Sequence, residues 1–141
     1  MARRRRNNPA LCPCGSDLSY GKCCAPFHRG EATPESPQAL VRARYSAYAK
    51  QEVDYIIDTT DPDGDAWQQP QNQWRIDIRR FGRKAIFVGV DIVAAEVREN
   101  SATVTFVAKL RRRGNDASFT EVSQFTCRDG HWLYAAGRPQ S

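Results

Sequence analysis

The sequence predicts an α+β fold, with helices packed on one face of an antiparallel sheet and a small zinc knuckle at the N-terminus. Three observations carry this. Four cysteines fall within thirteen residues, from Cys12 to Cys24. Three amphipathic segments with helical spacing follow, between Pro37 and Phe81. After Ala85 the apolar period changes to two, which is the signature of strands with one buried face. Helices followed in order by strands give an α+β architecture rather than alternating βαβ units.

The knuckle comes first. Its spacing is C-x-C-x8-C-C, formed by Cys12, Cys14, Cys23 and Cys24. Thiolates this dense, with no other sign of a disulfide framework, point to one tetrahedral structural Zn2+. Pro13 holds Cys12 extended, so Cys12 and Cys14 fall on one face of the chain. Gly15 lets the backbone turn, Ser16 is placed to cap a short helix through Tyr20, and Cys23 and Cys24 close the cage from its far end. His28, four residues after Cys24, is a rival fourth ligand, and otherwise a histidine of an exposed loop.

The stretch from Arg29 to Pro37 is rich in turn residues and reads as a linker. Ser36 followed by Pro37 is an N-cap with proline in the first turn, and it starts a helix that runs to about Lys50. A second short helix covers Val53 to Asp58. Asp61, Asp63 and Asp65 alternate in the loop that follows, but Asn72 stands where a calcium loop needs its glutamate, so this is a turn. Trp74, Ile78 and Phe81 mark a third helix, which Gly82 is expected to stop. Ile86 to Ile92, Ala102 to Leu110 and Phe119 to Cys127 alternate as strands. Asp129-Gly130 is a two-residue hairpin signal leading into a fourth strand from His131 to Ala135. Cys127 fits a small buried hydrophobe, and Tyr45, Tyr48, Trp74 and Trp132 fit core aromatics.

Charge and composition narrow the function classes. The chain has 141 residues and a net charge of +5. No apolar run spans a bilayer and no secretory signal opens the chain, so membrane insertion is not expected. Unpaired cysteine usage fits a reducing, cytoplasmic setting. Basic residues gather at Arg3, Arg4, Arg5 and Arg6, at Arg79, Arg80, Arg83 and Lys84, and at Arg111, Arg112 and Arg113. Such clusters attract phosphate backbones without reading sequence.

The knuckle, Cys12-Pro-Cys14-Gly15-Ser16 with Tyr20 and Lys22-Cys23-Cys24, resembles the SEC-C motif, the zinc-binding tail of the SecA translocation motor. That resemblance implies the same four cysteine ligands and a role in docking a partner. The segments Arg42-Ala-Arg44-Tyr45, Asp54-Tyr55-Ile56, Val104 to Ala108, Glu121 to Phe125 and Asp129 to Gly137 are similar to the YchJ family of small bacterial proteins. The resemblance implies a cone-like domain similar to nuclear transport factor 2, and no settled activity. Family members often carry a second SEC-C motif after the cone, which is not found up to Ser141. The expected division is a basic tail over 1–10, the SEC-C motif over 11–28, a linker over 29–36 and the cone over 37–137.

Three functional readings follow. The first is a zinc-stabilised adaptor that docks a protein or ribosomal partner through the knuckle, with no catalytic residue. The second is a small-ligand binder or enzyme that uses the cone's cavity. The third is a nucleic-acid binder acting through Arg3, Arg4, Arg5 and Arg6. Glu121 is the most informative residue for choosing among them, because it alternates in phase with Phe119, Phe125 and Cys127. The expectation is an ion pair with Arg44 on the covering helix, since buried charges are usually paired. Glu121 without a cation, in an open cavity, would favour the second reading. The knuckle and the cone are expected to fold as separable modules.

Overall fold

The computed structural model describes residues 10–140. Arg3, Arg4, Arg5 and Arg6 therefore lie outside the described residues. After a 3-10 turn at Tyr20–Lys22, the helices are α1 (Ala25–His28), α2 (Pro37–Ala49), α3 (Val53–Asp58) and α4 (Gln71–Lys84). The strands are β1 (Ile86–Val97), β2 (Ser101–Arg112), the two-residue β3 (Asn115–Asp116), β4 (Phe119–Arg128) and β5 (His131–Pro139). The long strands form an antiparallel sheet in the order β1-β2-β4-β5, with β3 paired to β2. Register shifts at Phe87/Gly89, Ile92/Ala94 and Gln124/Phe125 put bulges in β1 and along β4–β5, and bulges bend a sheet. The bent sheet carries α2 and α4 on one face.

Local signals explain most boundaries. The Ser36 hydroxyl accepts from the Ala39 N–H at 3.1 Å, with Pro37 in the first turn of α2. Asp129 and Gly130 both have positive φ, as a type I′ hairpin turn requires. Two expectations fail. No helix spans Ser16 to Tyr20; the Ser16 hydroxyl is drawn to the Leu18 N–H and the Cys23 sulfur instead. Gly82 does not stop α4 but lies inside it, where a Cβ would run into the Tyr48 carbonyl of α2. It is a close-packing glycine.

One buried cluster joins Cys12, Cys14 and Cys24 to Leu40, Val41, Tyr45, Val90, Val104, Leu110 and Phe125. A second, of Ala47, Val53, Ile56, Ile57, Trp74 and Ile78, sits between α2, α3 and α4. The knuckle therefore shares a core with the sheet domain. After α3 the chain zips onto β5: the Tyr134 N–H donates to Thr59 O and the Asp61 N–H to Tyr134 O, each at 2.8 Å. Asp61, read as a turn residue, is buried and holds this corner. Burial raises its pKa, but the Asp63 N–H, the Thr126 hydroxyl and Arg128 together bring it below the ordinary value. Among the described residues no helix is long and apolar enough to cross a membrane.

Candidate metal centre and cone cavity

The backbone builds the knuckle as a small closed loop. Leu11 and Ser19 form an antiparallel bridge, and the Cys12 N–H donates to Leu18 O at 2.8 Å. The Cys23 N–H donates to Tyr20 O, which turns Cys23 and Cys24 back toward Cys12 and Cys14. The sulfurs of Cys12, Cys14, Cys23 and Cys24 all lie within 4.8 Å of one another. Cys14 and Cys23 are 3.7 Å apart, and Cys23 and Cys24 3.9 Å. A tetrahedron with Zn–S bonds of about 2.3 Å has edges of about 3.8 Å, so the sulfurs fit a zinc cage.

The electrostatics fit as well. Contacts with Cys12 and Cys24 lower the pKa of Cys14, while contacts with Cys12 and Cys14 raise that of Cys24. Burial pushes Cys23 up to about 11. Four thiolates this close repel one another, and a divalent cation is the group that allows all of them to ionise.

The cage is seated on the sheet domain by contacts that spacing along the chain does not reveal. The Val90 N–H of β1 donates to Cys14 O at 3.0 Å. Cys12 Sγ lies 3.3 Å from the fully buried Ser46 hydroxyl, and Cys24 Sγ 3.6 Å from Arg42 O, both on α2. Gly15 has φ +87°, and its Cβ would lie 3.1 Å from the Gly89 Cα, so two glycines set the approach of knuckle to β1. The only sequence signal for this was a glycine in each segment.

His28 is half-buried rather than exposed. Its Nε2–H donates to Ala43 O at 2.8 Å, so Nδ1 accepts from the Tyr20 hydroxyl at 2.6 Å. Both ring nitrogens are committed, and burial lowers the His28 pKa, which keeps the ring neutral. His28 buttresses α1 against α2 instead of facing the sulfurs.

Glu121 and Arg44 do not form the expected pair. Arg44 Nη1 instead donates to Ile56 O and to the Thr59 and Thr60 hydroxyls, at 2.9, 2.9 and 3.1 Å. These groups cluster at the C-terminus of α3, where the helix dipole favours a cation. Glu121 Oε2 accepts from the Ser123 hydroxyl at 2.5 Å and from the Tyr134 hydroxyl at 2.8 Å. Burial, with Glu121 beside it, raises the Tyr134 pKa, so the phenol stays a donor. Both charged residues line a cavity of about 250 Å³ between α2, α4 and the sheet. Tyr45, Tyr48 and Trp74 belong to its wall and are not purely core aromatics. Cys127 and Trp132 are half-buried, and His131 is exposed. Arg79, Arg80, Arg83 and Lys84 end α4 on the surface, and the pairing of Ile86 with Arg111 brings Arg111, Arg112 and Arg113 to the same end of the molecule.

Comparison with known proteins agrees with this anatomy. Residues 36–137 match the model described as "YchJ, middle NTF2-like domain", and residues 9–26 match the SEC-C motif. The chain belongs to the YchJ family. A UPF0225 protein of Serratia proteamaculans is 36% identical over 137 residues, covering 94% of this chain and 86% of that protein. A UPF0225 protein of Bordetella bronchiseptica is 32% identical over 138 residues, with 96% and 97% covered. Among solved structures, an SEC-C motif containing protein of Rhodopseudomonas palustris superposes with a TM-score of 0.79 at 32% identity, covering 92% of this chain and 98% of that one. One from Psychrobacter arcticus superposes at 0.71 with 22% identity, which speaks for the fold alone. The YchJ chain thus carries an SEC-C motif whose four cysteines are gathered at metal-binding distance, beside an NTF2-like domain.

The ligand set makes a testable ranking. The purified chain should hold about one zinc ion, released by denaturing chelation. Cys24→Ser should lower the zinc content measured by atomic absorption far more than His28→Ala. The opposite ranking would overturn the assignment of the four sulfurs.

Proposed function

We propose that this chain is a zinc-stabilised binding protein. Cys12, Cys14, Cys23 and Cys24 hold one structural Zn2+ that clamps the knuckle to α2 and β1, and the cone's cavity takes up a small molecule. The observation that carries the second half is Glu121, a carboxylate that lines an aromatic cavity and, among the described residues, has no cation on it. A carboxylate kept there for stability alone would be expected to have a charged partner. The cavity also has a mouth: Gln68, Asp77 and Phe119 belong to its lining and are exposed.

The clamp supports a global effect of zinc. Cys12, Cys14 and Cys24 are core residues of the cone, so the free energy of metal binding enters its folding. Chelation should lower the melting temperature of the whole chain by roughly 10 °C, the shift that about 3 kcal/mol gives at this size. The strand signal should melt with the knuckle. A cone that melts unchanged after zinc removal would refute the clamp.

For the cavity, a naphthalene-sized probe added to the zinc-loaded chain should shift the amide resonances of Phe106, Phe119 and Phe125. Shifts confined to the knuckle, or none, would rule this reading out.

A second reading, the adaptor, is favoured by the knuckle's outer rim. Leu18 is 54% exposed there and Lys22 is exposed as well, while the inner side is taken up by the cone. A protein or ribosomal partner docked on that rim should be lost from pull-downs with Leu18→Asp, with zinc content unchanged. Capture that survives the substitution would place docking elsewhere.

A further inference from the structure

Resting on the cavity reading above, we infer that the cone binds an uncharged molecule with an apolar body of one or two rings and a single hydrogen-bond donor, received by Oε1 of Glu121. Size sets the first limit. The cavity holds about 250 Å³, and apolar cavities of about 150 Å³ take up benzene. The walls set the second, since Trp74, Phe87, Phe106, Phe119 and Phe125 make most of the lining apolar.

The polar end is specific. Both hydroxyl donors, from Tyr134 and Ser123, bond the same carboxylate oxygen, Oε2. Oε1 accepts from no described residue, and a carboxylate has about four acceptor sites in all. The carboxylate is therefore oriented by the protein with one oxygen left for a donor from outside. Gly137 shows how closely the support is built: a Cβ there would overlap the Tyr134 hydroxyl and Glu121 Oε2 together.

Charge decides that the donor is neutral. Arg44 stacks on the Tyr134 ring, 4.4 Å from its centroid, and among the described residues bonds only uncharged groups. One ring thus has a guanidinium against its face and the Glu121 carboxylate at its hydroxyl, and the two charges offset each other within the cavity. An ammonium would meet Arg44 as well as Glu121, and an anion would meet Glu121. Asp77 stands at the exposed rim, bonded to the Gln73 amide at 3.0 Å, where water screens it.

The test compares 2-naphthol with 2-methylnaphthalene, in which a methyl replaces the donor hydroxyl, by calorimetric titration of the zinc-loaded full chain. 2-Naphthol should bind about tenfold or more tightly, the effect of a hydrogen bond to a charged acceptor. Glu121→Gln should close that gap, because the Tyr134 and Ser123 hydroxyls then claim the amide oxygen and leave an NH2 toward the ligand. Gly137→Ala should narrow it by displacing the same pair. The wild-type comparison stands alone if either variant fails to fold. Equal affinity for the two probes, or a gap that persists in Glu121→Gln, overturns the donor assignment while the cavity reading survives. Tighter binding of protonated 2-naphthylmethylamine overturns the neutral-ligand assignment. Binding of none of the three overturns both.

Discussion

The structure depends on the burial of three knuckle cysteines in the core beneath α2. Cys12 is 4% exposed, Cys14 not at all and Cys24 1%. Thiols that only capped a surface loop could be lost with local effect. Here they pack against Leu40, Val41 and Val90, so the residues that gather at metal-binding distance also fill space in the domain that follows. Three buried thiolates with the half-buried Cys23 thiolate beside them would be prohibitively costly without a cation, and a metal that binds the folded arrangement stabilises it by mass action. If the proposed ion binds there, metal binding and folding become one equilibrium rather than two.

Helix α2 is the element that transmits this. One side of it meets the knuckle through Arg42 O, Ala43 O and the Ser46 hydroxyl. Its other side supplies Val41, Arg44, Tyr45 and Tyr48 to the cavity. Tyr45 ties the two together: its hydroxyl donates to Lys109 O at 2.6 Å and accepts from the Gly89 N–H at 2.7 Å, at the β1 bulge next to the Val90 bond that seats Cys14. The bulge thus serves the knuckle and the cavity wall at once. Interiors are close-packed and transmit displacement, so the position of α2 is set jointly by sulfur geometry and by the sheet.

Local chemistry was legible in the sequence and partnership was not. Cysteine spacing, the Ser36-Pro37 cap and the Asp129-Gly130 turn each act within a few residues, and each appears where it was read. The packing of knuckle on cone rests on Gly15 meeting Gly89, a contact across 74 positions that no periodicity encodes. Gly82 was read by propensity as a helix stop, but the close crossing of α2 and α4 overrides propensity. The alternation that placed Glu121 on the inner face was sound. Which group it meets depends on side-chain reach, which alternation does not encode.

The expected pair of Glu121 and Arg44 does not form, for a reason that bears on the site. Arg44 had two acceptors within its range, a carboxylate and the end of α3. The helix end offers a carbonyl and two hydroxyls in one cluster, each already aligned by the backbone and none of them an ion. Binding there gives Nη1 of the guanidinium three neutral acceptors at once, whereas pairing with Glu121 would desolvate two ions for their mutual attraction. The same Thr59–Thr60 corner zips onto β5 and sets Tyr134 beneath Arg44, so that the ring lies between cation and carboxylate. A short helix end, satisfied by the nearest arginine, thereby leaves an oriented carboxylate facing an aromatic cavity.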